Sequence, residues 1–285
     1  MTPELLVGDI AKLVSLPEVV VRINALVDDP KSSAEDIGRV VAQDAALTAR
    51  LLTLANSAMF GLSRQVDTVG RAIAVLGTRQ VRDLTLGLSA VRSFAGIPNE
   101  LVSMQSFWHH SVLCAVTARQ LAGECRRGRP DSSFVAGLLH DVGQLVLFNK
   151  LPRESHAALL MSIDEPNEPD LHLCERTLIG FDHAAVEGAL ARSWHLPAAL
   201  TECIEFHHEP ARAGSHPLDV ALVHIANSVA TLLEIDSMEL ADASPIDAVA
   251  WEITGLRREQ ALEVAVAARG AADEAKRLLQ LPGVH

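Results

Sequence analysis

Apolar residues recur at three- and four-residue spacing through most of this chain, while sustained strand-like alternation is scarce, so the pattern predicts an all-α fold, a multi-helix bundle. Val20, Ile23 and Val27 share a face in a predicted helix over 17–27, and Asp28-Asp29-Pro30 ends it. Ser33 with Asp36 three residues later resembles a capping box, with Asp in place of the usual Glu or Gln, and opens a helix through Val40. Leu47, Leu51 and Leu54 stripe the next segment, 45–55, and helices over 71–76 and 81–94 follow, separated by Gly77-Thr78. Five short helices therefore fit the first 95 residues, and the turn-rich Gly96-Ile97-Pro98-Asn99 marks an internal boundary. Beyond it the periodicity predicts helices near 104–124, 134–147, 153–162, 172–179, 183–194 and 197–206, with surface loops at 164–169 and 209–217. A strongly apolar helix over 218–233 returns, followed by two amphipathic ones near 245–253 and 257–279. Trp251, Leu256, Leu262 and Val264 on these last helices either close the core or present a docking surface, which periodicity alone does not distinguish.

Composition narrows the setting. With 285 residues and 49% apolar content the chain can bury a core without staples. Cys114, Cys125, Cys174 and Cys203 stand far apart with no C-x-x-C pair, which argues against a zinc ribbon or a disulfide framework and points to a reducing cytoplasm. No basic stretch followed by an apolar core follows Met1, and no run approaches the ~18 apolar residues of a membrane span, so neither secretion nor membrane insertion is expected. Twenty-four Lys plus Arg against 36 Asp plus Glu give a net charge of −12, which repels nucleic acid on average. Arg119, Arg126, Arg127 and Arg129 form a local basic stretch, read as a solvated helix end. Twelve histidines in a chain without tyrosine are the main chemical signal.

Five of those histidines fall in motifs: His110 in Trp108-His109-His110-Ser111, His140 in Leu138-Leu139-His140-Asp141-Val142-Gly143, His183 after Phe181-Asp182, and the pair His207-His208. Adjacent residues on a helix point about 100° apart, so His140 and Asp141 can reach one ion only from a helix end or beside a closely facing helix. An aspartate there can bridge two ions while each histidine binds one. A lone histidine, or a lone His-Asp pair, is more often structural. Phe134, Val135, Leu138 and Leu139, however, lead straight into His140-Asp141, and a carboxylate beside such a core is costly unless paired or metal-bound. Imidazole and carboxylate ligands suit Fe, Zn, Mn, Ni or Co, and spacing does not choose among them.

This spacing resembles the HD superfamily of metal-dependent phosphohydrolases, and the separate His183 and the His207-His208 pair extend the likeness toward the binuclear HD-GYP phosphodiesterases. There are departures. Catalytic members carry a lysine after His-Asp-x-Gly, where this chain has Gln144. The closing aspartate of the family falls on the helix with His224-Ile225-Ala226-Asn227, and the residue present is Asn227. No Gly-Tyr-Pro signature follows the paired histidines. Leu16-Pro17-Glu18-Val19, Gln43-Asp44-Ala45-Ala46-Leu47, Leu54-Ala55-Asn56-Ser57-Ala58 and Arg71-Ala72-Ile73 with Leu76-Gly77 are similar to the amino-terminal stretch of the HDOD (HD-related output domain) family of bacterial signalling proteins. Asn56-Ser57 and Gly77 themselves read as capping or turn residues rather than chemistry.

The HDOD resemblance covers about 5–215, divided into an amino-terminal helical part (5–97) and an HD-like part (98–215), with 216–285 completing or flanking the core. It implies a regulatory module with a degenerate metal site, the alternative being a metal-dependent cyclic dinucleotide or nucleotide phosphodiesterase. Asp141, His183, His207 and His208 are expected to hold one divalent transition metal. His110, His140 and Asp141, with only the neutral amide of Asn227, form a weaker second position. No residue is assigned a catalytic role. No receiver, GGDEF-like or helix-turn-helix unit is evident in the remaining length, so a separate signalling protein is the expected partner and a cyclic dinucleotide a candidate ligand.

Overall fold

The computed structural model describes residues 1–10, 14–62, 64–94, 97–164, 170–240 and 245–279. Gly96 and residues 165–169, at the centre of two predicted turns, lie outside the described residues. Every regular element among the described residues is helical, so the fold is all-α. The helices before the Pro98-Asn99 turn are α1 (Pro3–Ile10), α2 (Glu18–Asp28), α3 (Ala34–Val41), α4 (Ala45–Ala55), α5 (Val69–Leu76) and α6 (Thr78–Phe94). After it follow α7 (Met104–Glu124), α8 (Pro130–Leu139), α9 (Val142–Lys150), α10 (Pro152–Asp164), α11 (Leu171–Ile179), α12 (His183–Ser193) and α13 (Ala198–Phe206). The chain then continues through α14 (Pro217–Glu234), α15 (Ala248–Thr254) and α16 (Arg258–Leu279).

Local chemistry sets the boundaries. Ser33 and Asp36 form a complete capping box at α3, and Asp44 caps α4 by accepting from the Leu47 N–H. Asn56 closes α4 and braces the following loop, its amide donating to Leu52 and Val66 carbonyls while its oxygen accepts from the Val66 N–H. Two expectations need correction. Pro3–Ile10 is a helix that the periodicity did not yield, and its Leu6, Val7 and Ile10 are buried against α9 and α12. The single helix expected over 134–147 is two, broken at His140-Asp141. At Gly143 an added Cβ would stand 2.3 Å from the His183 carbonyl oxygen and 2.5 Å from Glu187 Cγ, so the start of α9 is pressed against the first turn of α12. A helix running straight through from α8 would not make that approach.

The centre of the molecule is α7, flanked by α8, α14 and α16. Trp108 at its start is fully enclosed, and the approach to α8 is close enough that a Cβ at Gly137 would meet Ala115 Cα at 2.8 Å. One continuous apolar cluster runs from Leu6 through α7 and α14 to Leu279, with each fully buried large side chain contributing about 1.5–3 kcal/mol. Leu256 and Val264 are buried in it, and Trp251 packs at its edge. Among the described residues no helix is long and apolar enough to cross a membrane.

Candidate metal centre

The break between α8 and α9 is what points a His-Asp pair at one place. His140 ends α8 in a helical conformation (φ −59°, ψ −19°), and Asp141 precedes α9 with φ −117° and ψ 3°. His207 ends α13 in the same way, with His208 next to it. His183 opens α12, whose cap Asp182 accepts from the Ala185 N–H. His110 and Asn227 come from the bodies of α7 and α14.

These elements gather around Asp141. Its Oδ1 lies 3.3 Å from His183 Nε2 and 3.8 Å from His207 Nε2; its Oδ2 lies 3.3 Å from His140 Nε2 and 3.6 Å from His110 Nε2. His208 Nε2 is 2.8 Å from His183 Nε2. Two candidate ligand groups share the aspartate: Asp141, His183, His207 and His208, and Asp141, His110 and His140, the donor atoms within each lying within 4.8 Å of one another. Separations of this size are close to the edges of a coordination sphere with bonds near 2.0–2.1 Å. The seventh predicted residue, Asn227, sits beside His110, its Oδ1 2.9 Å from Nε2.

Tautomers follow from the backbone. His140 Nδ1 donates to the Gly137 carbonyl at 2.8 Å and His207 Nδ1 to the Ile204 carbonyl at 2.7 Å; a carbonyl only accepts, so each Nδ1 carries the proton. Each Nε2 then presents a lone pair, is buried, and makes no hydrogen bond. Buried acceptors without partners are rare in folded proteins, and a cation among them would satisfy both. The donor set therefore fits a divalent transition metal.

The charges agree in sense. Burial lowers the pKa of His140, only partly offset by Asp141, and burial with neighbouring His140 holds His207 far below the ordinary imidazole range. His208 is held down likewise by burial and by His207. Burial would raise the Asp141 carboxyl, but His140, His183 and His110 outweigh it and keep it well below the usual range. His183 moves upward: burial opposes its protonation, and Glu175 with Asp141 overcomes that.

The residues that support these ligand groups belong to no sequence motif. Glu175 Oε2 lies 2.6 Å from His183 Nδ1 and accepts from the His183 N–H at 2.9 Å, fixing the ring that faces Asp141. Glu187 accepts the Gly143 N–H at 2.5 Å, and burial raises its carboxyl well above the ordinary value. His172 stacks on His208 at 4.0 Å and 11°. Glu234 lies 2.9 Å from His110 Nδ1. Of these only Glu234 carried a usable signal: it stands seven residues after Asn227 on α14, two turns along the same face.

Above the centre opens a cavity of about 290 Å³ bordered by Gln144, Asp170, His172, His224, Ser228 and Thr231 as well as the ligand groups. No lysine or arginine among the described residues lines it.

An all-helical bundle holding imidazoles around a shared aspartate defines a protein of HD-like architecture. The HDOD domain model matches residues 13–210, and the chain belongs to that family. A protein of Treponema pallidum (strain Nichols) is 27% identical over 221 residues, 77% of this chain and 42% of the relative, so the chain spans about two fifths of the length of the curated relative it matches. Among solved structures, a provisionally named phosphohydrolase from Shewanella amazonensis superposes with a TM-score of 0.72 at 23% identity, covering 96% of this chain and 97% of that one. An HDOD domain protein from Geobacter sulfurreducens gives 0.65 at 23% identity, covering 97% and 96%. At these identities the likeness establishes the fold.

Proposed function

We propose that this chain is a regulatory HDOD module that acts through binding, carries one divalent transition metal at Asp141, His183, His207 and His208, and hydrolyses phosphodiesters poorly. The observation that carries this reading is that no lysine or arginine among the described residues borders the cavity above the cluster. A bound metal would supply Lewis acidity and activate water, but phosphoryl transfer also needs cationic groups against the charge developing on the phosphoryl oxygens. Gln144 borders the cavity where catalytic relatives of the HD type place a lysine, and Asn227 offers a neutral amide where they place a carboxylate. Within the chain, Glu175 orients His183, the Gly137 and Ile204 carbonyls fix the tautomers of His140 and His207, and Asp141 joins the two ligand groups.

Fe, Zn, Mn, Ni and Co all suit this donor set. A separate signalling protein is the partner in this reading, with a cyclic dinucleotide as a candidate small ligand. Cys114, Cys125, Cys174 and Cys203 form no disulfide among the described residues, which suits a bacterial cytoplasm. The test pairs metal analysis of untagged protein with hydrolysis assays on cyclic dinucleotides and nucleotides. Turnover below about 0.01 per second is expected, against the ~1 per second or faster common for enzymes. Metal-dependent turnover at that faster rate, abolished by Asp141→Ala, would establish the phosphodiesterase alternative instead. Gln144→Lys combined with Asn227→Asp is expected to gain hydrolysis.

A further inference from the structure

A second cavity, of about 480 Å³, lies on the seam between the amino-terminal and HD-like parts, away from the histidine cluster. Its wall is made from the first turns of three helices: Thr78 to Gln80 of α6, Pro130 to Ser132 of α8, and Ala199 and Leu200 of α13. The first intrahelical bonds of these helices are donated by Val81, Ser133 and Thr201, so the N–H groups of the preceding turn have no helical acceptor. Among the described residues no side chain caps them. Arg129 and Pro197 make no capping bond, and Gly77, ahead of α6, has no side chain to offer.

The charged groups at this cavity are Arg79, Arg82, Arg129, Asp83 and Asp131. Asp131 is paired with Arg119, and Arg129 with Asp219. Asp83 accepts from Arg82 Nε at 2.9 Å and from the Ser132 hydroxyl at 2.7 Å. The carboxylates are thus already matched. Arg79 is the one cationic group at this cavity without an ion-pair partner among the described residues, and Arg82, though charge-matched, keeps one nitrogen with donors to offer. The Arg82 side chain is 9% exposed; its Nε and Nη1 are bonded to Asp83 and Asp28, which match its charge, while its Nη2 makes no hydrogen bond among the described residues. Arg79 is exposed and forms no ion pair among the described residues. Leu76, Pro130, Pro197 and Leu200 give the remaining wall an apolar character.

We propose that this cavity binds a phosphorylated small molecule of nucleotide size, with the phosphate among the three helix starts, the Arg79 guanidinium and the Nη2 edge of Arg82, and the apolar portion against the prolines and leucines. Free first-turn N–H groups and the positive ends of helices favour an anion of this kind, arginine adds charge-assisted bonds, and the volume falls within the usual range for ligand pockets. Two of the three helices, α8 and α13, end at His140 and His207, so an anion at their amino ends and a cation at their carboxyl ends both align with the helix dipoles.

Titration calorimetry of the full chain with AMP and with inorganic phosphate tests this. Saturable one-site binding of AMP is expected, with weaker competition by phosphate. Arg79→Ala, on an exposed side chain that leaves the fold intact, should weaken AMP about tenfold, as loss of a bond to a charged group does. Chelator treatment and His208→Gln should leave the affinity unchanged. Absence of saturable binding by both probes overturns the proposal. So does binding that survives Arg79→Ala unaltered but disappears with chelation, which would locate the anion at the metal centre.

Discussion

His110 is clamped from both sides, with Glu234 at Nδ1 and Asn227 Oδ1 at Nε2, each at 2.9 Å. Burial opposes its protonation, yet the Glu234 hydrogen bond and charge, with Asp141, push its pKa up to about 9 from an ordinary 6.5. In metal-free protein the folded state therefore holds more protons than the unfolded state between 6.5 and about 9. The stabilisation is complete below 6.5 and is lost as pH rises through about 9. Glu234→Gln removes the group that holds the proton. Chelated wild type should lose stability relative to this variant across that window, by a difference on the order of 2 kcal/mol, read from paired urea titrations at pH 6.5 and 9. Parallel pH profiles would show that His110 takes no charge from the pair. In the opposite direction, His172 and His224 are held low mainly by burial, so their contribution is lost as pH falls below 6.5.

At the level of elements, the crossing of α7 and α8 is set by a missing side chain. A Cβ at Gly137 would lie 2.8 Å from Ala115 Cα and 2.9 Å from its nitrogen, both backbone atoms that cannot rotate aside. Gly137→Ala should cost about 1–3 kcal/mol or more through overpacking. Gly270, within α16, has open space at the same position, and Gly270→Ala should stabilise by about 0.5–1 kcal/mol. Chemical denaturation of the two variants measures a difference of sign. Arg119 of α7 is a second tie: it pairs with Asp131, donates to the Met59 carbonyl and lies over the Phe60 ring at 4.3 Å. Far from a solvated helix end, it joins the two halves of the chain. Arg119→Ala leaves the nearly buried Asp131 carboxylate unpaired and should cost about 3–5 kcal/mol, read from the same denaturation curves.

The same scale shows what the sequence made legible. Segments with a full apolar stripe and a cap, such as 45–55 behind Asp44 and 104–124 behind Ser103, match their helices to the residue. The capping box at Ser33 formed because its chemistry is local. The stretch 134–147 reads as one helix because nothing in its continuous apolar run signals a break; the break goes with the close approach of α12 to Gly143. Motifs singled out His110, His140, Asp141, His183, His207 and His208, which come from four places in the fold: α7, the α8–α9 break, the start of α12 and the end of α13. Glu175 and Glu187 were invisible for the complementary reason, since their partners His183 and Gly143 become neighbours only through tertiary packing. The seam cavity is of the same kind: three unremarkable helix starts acquire meaning by meeting.

For the whole molecule, the cluster concentrates unfavourable burial that a cation would relieve. Several imidazoles and one carboxylate share a small volume inside an acidic protein of net charge −12, whose field attracts divalent cations. Metal that binds the folded chain and not the unfolded one stabilises by RT ln(1 + [metal]/Kd), about 2.7 kcal/mol at a hundredfold excess over Kd. For a domain of this size that corresponds to a rise in Tm of roughly 5–10 °C. Zn, Mn, Co, Ni or ferrous ion added to chelated protein at a free concentration about a hundredfold above Kd should produce the shift for at least one of these metals. The ligand groups make the two positions distinguishable. His208 belongs only to the group with His183 and His207, while His110 belongs only to the group with His140 and is already engaged by Asn227 and Glu234. His208→Gln should therefore remove most of the thermal shift, and His110→Gln should leave it largely intact, with stoichiometry near one by elemental analysis. Retention of the shift in His208→Gln together with its loss in His110→Gln would move the metal to the other side of Asp141, where Asn227 would have to serve as a ligand despite its neutral amide.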